Sequence, residues 1–126
     1  MPVEKCTTPE ELQAHYDAVS QKGGHALCIF LYGDDSNPKC EAAKPHIMKT
    51  MQANQGANPE CTVMACLIKN ASDWEGVSDH PWRTSPIFHV TDLPTMILFK
   101  GTEEVARASE QAQFEDEEFM TKFSAL

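Results

Sequence analysis

The chain has 126 residues, a length that predicts one domain over residues 1–126. Hydrophobic residues make up 41% of the chain and charged residues 23%, a balance that indicates a globular protein rather than a disordered one. Nineteen acidic residues against ten basic residues give a net charge of −9, which repels phosphate backbones and anionic lipids. We therefore expect a protein that binds neither nucleic acid nor a membrane. We also expect it to be a monomer.

The five cysteines do not form the framework of a secreted, disulfide-rich protein, because their number is odd and their spacing irregular. The chain does not open with a basic segment followed by an apolar stretch, so we expect no signal peptide and a cytoplasmic location. The histidines show no ligand spacing with the cysteines, so we expect no metal and no cofactor.

The first part of the chain predicts a strand, a helix and a second strand. Val3–Cys6 is a short opening strand. A helix begins after Thr8, which can cap it as part of a capping box with Glu11, and it ends at Gly23-Gly24. The run from Ala26 to Tyr32 is apolar on both faces, as is typical of a central strand covered by helices on both sides.

A second helix is expected to begin with Asn37 as N-cap and Pro38 at its first position. Its apolar face repeats at helical spacing, and Pro45 is expected to kink it. We expect a loop from Asn54 to Pro59 and then a strand from Cys61 to Ile68. Because strand, helix and strand form a βαβ unit, the two strands should be parallel.

The last part of the chain predicts a hairpin and a closing helix. The segment from Asn70 to Val90 shows little periodicity apart from a short helix near Pro81–Thr84. Strands Thr95–Phe99 and Glu104–Ala108 are joined by a short turn and should be antiparallel. The closing helix is expected over Phe114–Phe123. An α/β fold follows, with a mixed central sheet of four to five strands flanked by helices on both faces.

Three features resemble the thioredoxin superfamily and imply the thioredoxin fold. The segment from Val90 to Gly101 is similar to the thioredoxin segment that carries a cis-proline, and Pro94 stands at the position of that proline. Cys40 precedes Pro45 by five residues, as the second active-site cysteine of thioredoxins precedes the kink proline. The apolar strand before Asn37-Pro38-Lys39-Cys40 lies where thioredoxins place the strand that leads into C-x-x-C.

Within that superfamily the chain looks closest to the thioredoxin domain-containing protein 17 group. The resemblance rests on chain length, on Cys66 within its strand, on the extended segment with Trp74, and on the passage from Ser109 to Ala112. Members of the group are cytosolic protein-disulfide reductases bearing W-C-x-x-C. In this chain Ser36 stands at the tryptophan position and Asn37 at the position of the nucleophilic cysteine, so the motif is degenerate.

Disulfide reduction requires one thiolate to attack and a second thiol to release the mixed disulfide. Asn37 offers no thiol, and only the resolving position is occupied, by Cys40. Cys40 has two interpretations: a reactive monothiol near a helix N-terminus, or a buried thiol on the core-facing side of the helix. We favour the second, because the resolving position of thioredoxins is less exposed than the attacking one.

The resemblance also implies a peptide-binding surface. The backbone beside the cis-proline would pair with an extended peptide, a form of strand addition. The residues that this role assigns to substrate binding are Ser36, Pro38, Lys39, Leu93 and Pro94.

Three functions from different classes therefore remain open. The first is a redox-impaired thioredoxin-fold module that binds protein or peptide partners. The second is an active thiol-disulfide oxidoreductase, either a monothiol enzyme through Cys40 or a protein-disulfide reductase that uses another cysteine, with thioredoxin reductase as a candidate partner. The third is a structural subunit of an assembly. An exposed Cys40 would favour the second, and a broad apolar patch away from the motif would favour the third.

Overall fold

Five strands form one mixed sheet in the computed structural model, which describes residues 3–33, 37–58 and 60–124. They are β1 (Val3–Cys6), β2 (His25–Tyr32), β3 (Thr62–Ile68), β4 (Thr95–Lys100) and β5 (Glu103–Ala108), in the spatial order β1-β3-β2-β4-β5. β3 pairs in parallel with both β1 and β2, whereas β4 runs antiparallel to β2 and β5. The predicted βαβ pairing and the predicted hairpin are both confirmed.

The helices are α1 (Pro9–Gln21), α2 (Pro38–Ala57), α3 (Pro81–Thr84), α4 (Gln111–Glu115) and α5 (Glu117–Met120). Local sequence determines where α1 begins and ends: the Thr8 hydroxyl accepts a hydrogen bond from the Glu11 N–H at 3.2 Å, and Gly23 follows the helix with a positive φ of 67°. Among the described residues, no helix combines the length and the apolar character needed to cross a lipid bilayer.

Helices cover both faces of the sheet, as the doubly apolar sequence of β2 predicts. On one face Phe30 of β2 packs in the core with Tyr16 of α1 and with Trp82 of α3, whose ring lies 5.3 Å from that of Phe30. On the other face Leu27 of β2 packs in a second core with side chains of α2 and of the C-terminal helices. β2 therefore lies at the centre of the molecule, and its carboxyl end leads towards α2.

The prediction of a loop from Asn54 onwards is wrong, because α2 continues to Ala57. The Asn54 side chain is fully buried, and its Nδ2 donates to the backbone oxygen of Phe123 at 2.6 Å. The Gln55 Nε2 donates to the backbone oxygen of Cys61 at 3.1 Å. The local sequence of this polar stretch favours a turn. The tertiary hydrogen bonds of Asn54 and Gln55 keep it helical instead.

The prediction of one helix over Phe114–Phe123 is also wrong. The chain forms α4 and α5 followed by a 3-10 turn at Thr121–Phe123. Asp116 separates the two helices in an extended conformation, and its carboxylate accepts from the Phe119 N–H at 3.1 Å as the N-cap of α5. The aspartate therefore starts a new helix instead of continuing the old one.

Candidate functional site

The start of α2 follows β2 at the centre of the sheet. Asn37 has an extended backbone, and its Oδ1 accepts from the Cys40 N–H at 3.0 Å, so it caps the helix as predicted. Pro38 occupies the first helical position. Ser36, which the sequence assigns to the same site, lies outside the described residues.

The Cys40 side chain is turned away from solvent. It has no exposed surface and belongs to the core that also contains Tyr32 and Leu93. This placement agrees with the interpretation of Cys40 as a buried thiol on the core-facing side of α2. All five cysteines of the chain are in fact buried and reduced, so none presents an accessible thiolate in this conformation.

The segment before β4 lies beside the start of α2. The Leu93–Pro94 peptide bond is cis, and both residues are buried. The Thr95 hydroxyl donates to the backbone oxygen of Asp92 at 2.5 Å and anchors the segment. Among the residues that the structure describes, the backbone N–H and C=O of Leu93 take part in no turn, loop or cap hydrogen bond.

Two adjoining clefts run between these elements. One, of about 620 Å³, lies between Asn37–Lys39 and Asp92–Leu93, with Trp74 in its wall. The other, of about 230 Å³, extends past Pro94 towards residues 109–111. Both are lined by Lys39, Asp92 and Leu93, so they form one continuous surface, which we call the groove. The groove brings together Asn37, Pro38, Lys39, Leu93 and Pro94 of the sequence-predicted site, whereas Cys40 does not line it.

Sequence reasoning missed the wall that the 74–83 segment contributes. The Arg83 guanidinium lies over the Trp74 ring at 3.7 Å from its centroid, and it donates to the backbone oxygens of Trp74 at 3.0 Å and Thr91 at 2.7 Å. Apart from the short helix near Pro81–Thr84, this segment has no helical or strand periodicity, so its position depends on these contacts across eight and nine residues. The only sequence signal is the presence of two tryptophans, Trp74 and Trp82, in an otherwise irregular stretch.

The charged and polar groups of the groove do not form an acid–base pair. The Tyr32 hydroxyl donates to the Glu75 carboxylate at 3.2 Å. Burial, and then the hydrogen bond and charge of Glu75, raise the pKa of Tyr32 to about 12, so the phenol is neutral at physiological pH. Within the described residues, no cluster of His, Cys, Asp and Glu has an arrangement that could hold a metal ion.

Comparison with known proteins identifies relatives that cover most of the chain. The model of the family described as thioredoxin domain-containing protein 17-like, thioredoxin domain, matches residues 10–123. Thioredoxin-like protein Clot of Oryza sativa subsp. japonica is 28% identical over 120 residues, which cover 85% of this chain and 86% of the rice protein.

Solved thioredoxins have the same fold at low sequence identity. Thioredoxin O1 from Arabidopsis thaliana, in its oxidized state, superposes with a TM-score of 0.58 at 15% identity, covering 87% of this chain and 86% of that one. Fasciola hepatica thioredoxin gives a TM-score of 0.56 at 20% identity, covering 98% and 99% of the two chains. The chain therefore has the thioredoxin fold, as the sequence predicts.

Proposed function

The chain belongs to the thioredoxin domain-containing protein 17-like family of thioredoxin domains, and we propose that it binds extended segments of partner proteins in the groove while its dithiol redox chemistry is impaired. The observation that carries this proposal is the backbone of Leu93, which lines the groove and takes part in no turn, loop or cap hydrogen bond among the described residues.

Strand addition gives the groove a mode of binding. An extended peptide that lies along Leu93 would exchange main-chain hydrogen bonds with its N–H and C=O groups, which supply affinity with little dependence on sequence. Specificity would come from the side chains beside it. Lys39 offers a positive charge, and Glu75 and Asp92 offer negative charges, whereas the Trp74 ring is almost fully buried and stacks on the Arg83 guanidinium.

Impaired redox chemistry is supported by the start of α2. A helix N-terminus lowers the pKa of a thiol placed there, because unpaired N–H groups and the macrodipole favour negative charge. Asn37 occupies that position with a neutral amide, and the amide oxygen is engaged by the Cys40 N–H. Cys40 cannot replace it as the attacking group in this conformation, because its side chain has no exposed surface.

The two other functions have weaker support. A monothiol oxidoreductase needs an exposed Cys40, and the residue is buried. A structural subunit needs a broad apolar surface, whereas the exposed large hydrophobic residues in the described part of the chain are Met48 on α2 and Val105 on β5. Both observations favour the peptide-binding module.

Selection of phage-displayed short random peptides on the purified protein tests the binding function. A selected peptide, synthesised and titrated into labelled protein, should shift the amide resonances of Lys39 and Leu93. Asp92→Trp should fill the groove and weaken binding at least tenfold. Thr102→Trp adds the same side chain at the exposed turn between β4 and β5, and should leave affinity unchanged. Peptides that bind both variants equally would place the binding surface elsewhere.

An insulin-reduction assay with thioredoxin reductase and NADPH tests the redox part separately. The rate should stay close to that of a blank without the protein, because no attacking thiol is presented at the start of α2. Turnover comparable to that of an ordinary thioredoxin would contradict impaired chemistry, whatever the outcome of the peptide titration.

A further inference from the structure

Two buried cysteines occupy directly paired positions on neighbouring strands. Cys6 is the last residue of β1, and its register partner on β3 is Cys66. Both side chains are fully buried in the same core, on one face of the sheet. Neighbouring strands lie about 4.7–4.9 Å apart, which falls within the range of roughly 4.4–6.8 Å between the Cα atoms of disulfide-bonded cysteines.

We propose that Cys6 and Cys66 form a thiol pair that hydrogen peroxide converts reversibly into an intramolecular disulfide. Neither residue lines the groove, so this modification site is separate from the peptide-binding surface. The start of α2 has only one cysteine, Cys40. A reaction that needs two thiols would instead take place at the edge of the sheet, between Cys6 and Cys66.

The position of β1 gives the oxidant a route to the pair. β1 has four residues and lies at the edge of the sheet, where it pairs with β3 alone. Short edge strands open locally at a low free-energy cost compared with central strands, and hydrogen peroxide is small and uncharged. The same freedom lets Cys6 approach Cys66 to the shorter Cβ separation that a disulfide requires.

The two thiols differ in pKa, and this difference indicates which one attacks the peroxide and which one then forms the disulfide. The neighbouring Cys66 side chain lowers the pKa of the Cys6 thiol, although burial and the carboxylates of Glu11 and Glu4 act in the opposite direction. The Cys66 thiol also donates to the backbone oxygen of Met64 at 3.5 Å. Burial raises the pKa of Cys66. Cys6 therefore has the larger thiolate fraction and attacks first, and Cys66 resolves.

The chemistry balances with hydrogen peroxide as the oxidant. The Cys6 thiolate attacks one peroxide oxygen, the O–O bond breaks, and Cys6 sulfenic acid and hydroxide form. The Cys66 sulfur then attacks the Cys6 sulfur, the S–O bond breaks, and water leaves as the disulfide forms. In total, two thiols and one peroxide give one disulfide and two waters, and a small thiol reductant reverses the product.

Cys28 and Cys61 are less suited to pair with Cys6 or Cys66. Cys28 lies on β2, which is held by β3 on one side and β4 on the other, and its register partners are Met64 and Ile97. The register partner of Cys66 on β2 is Phe30, so Cys28 is displaced by two residues. Cys61 belongs to the core on the opposite face of the sheet.

Peptide mapping after peroxide treatment of the folded protein tests the proposal. Trypsin leaves Cys6 alone in peptide 6–22, whereas Cys61 and Cys66 share peptide 50–69. Cys61→Ser therefore serves as the background, because it leaves one cysteine in that peptide. Before alkylation, the intact protein should have lost the mass of two hydrogens relative to the untreated protein. After alkylation of the remaining thiols in denaturant and digestion, peptides 6–22 and 50–69 should be linked. Dithiothreitol should restore both thiols.

Wild-type protein, which needs no substitution to fold, should show the same loss of mass and the same linked peptides. Cys6→Ser and Cys66→Ser should each abolish the link, with the fold checked by circular dichroism. A link to peptide 23–39 or 40–49, which contain Cys28 and Cys40, would overturn the proposal. So would thiols that stay unmodified, or that proceed to sulfinic acid with no linked peptide.

Discussion

At the scale of single residues, the role of Asn37 that the structure shows is a structural one. Its amide oxygen caps α2 through the Cys40 N–H, so the helix begins where the thioredoxin fold requires it to begin. The N-cap position needs a hydrogen-bond acceptor, whereas disulfide exchange needs a nucleophilic sulfur. Asparagine meets the first requirement and fails the second.

Asn37→Cys places a thiol at the start of α2 and tests the proposal of impaired redox chemistry. The new sulfur would lie at the helix N-terminus, which lowers its pKa, and three residues before Cys40. On mild oxidation the variant should form a disulfide with Cys40, and it should reduce insulin faster than the wild type. Loss of the asparagine cap should lower the free energy of unfolding by about 0.5–2 kcal/mol.

Asn37→Ser is the matched control, because serine can cap the helix but carries no thiol. It should reduce insulin no faster than the wild type and should be almost as stable. If the Asn37→Cys variant keeps both thiols and its fold after oxidation, yet shows no link to Cys40, the assignment of Cys40 to the resolving position fails.

At the scale of elements, α3 begins on a histidine that must stay neutral. The His80 Nδ1 accepts from the Trp82 N–H at 3.1 Å, and the ring lies between Trp74 and Trp82, with centroid distances of 5.2 and 5.3 Å. Burial lowers the pKa of His80, and the nearby Arg83 adds to that effect against the opposing charges of Asp73 and Asp79. Protonation would remove the acceptor that caps the helix.

The stability of the protein should therefore fall in mild acid. Because the pKa of His80 is lower in the folded than in the unfolded state, protons bind the unfolded state more readily once the pH drops to about 6.5. The free energy of unfolding should decrease from there until the pH falls below the folded pKa. Urea unfolding between pH 7.5 and 4.5 measures this slope, and His80→Asn, which keeps a capping oxygen, should reduce it. An identical slope in the variant would remove His80 as the cause.

The break between α4 and α5 predicts a second effect at this scale. Asp116→Ala removes the oxygen that accepts from the Phe119 N–H and should destabilise the protein by about 1 kcal/mol. Asp116→Asn keeps an acceptor and should lose less. Chemical denaturation of the two variants gives the comparison, and equal losses would indicate that the cap contributes nothing at this exposed position.

Some helix boundaries could be predicted from the sequence and others could not. Caps at Thr8 and Asn37 follow from side chains that act on N–H groups three residues away, so local sequence is sufficient. Asp116 stands inside an apolar pattern that fits one continuous helix, and the pattern conceals the new cap. At Asn54 local preference favours a turn, but a hydrogen bond to a residue 69 positions later keeps the helix. A local sequence pattern carries no signal for a contact between residues that lie so far apart in the chain.

At the scale of the whole molecule, Asn54 joins α2 to the C-terminal end of the chain. Asn54→Ala would leave the buried carbonyl of Phe123 without its side-chain donor, at a cost of about 1–3 kcal/mol. Asn58→Ala removes a similar hydrogen bond, to Ser124, at a half-buried site and should cost less. Urea unfolding should show lower midpoints in that order with unchanged slopes. Equal midpoints for Asn54→Ala and the wild type would contradict the link.

The parts of the site that depend on local sequence could be predicted, and the part that depends on contacts between separate segments could not. The start of α2 and the Leu93-Pro94 segment each carry a recognisable motif, and the order of the strands brings them together. The wall built from Trp74 and Arg83 carries no such motif. A guanidinium that stacks on an indole nine residues earlier and donates to two backbone oxygens follows no periodic pattern.

The contacts of the Arg83 guanidinium affect the free energy with which a partner would bind in the groove. Arg83 connects the Trp74 loop to the backbone of Thr91, one residue before Asp92, so two walls of the groove are held together before any partner arrives. Ordering loops on association commonly consumes part of the binding free energy. A preorganised cleft avoids much of that entropy loss, so even a short peptide with few contacts could bind with useful affinity. Selectivity would then depend on Arg83, which lines the cleft and holds its walls together, as well as on the other residues that face the peptide.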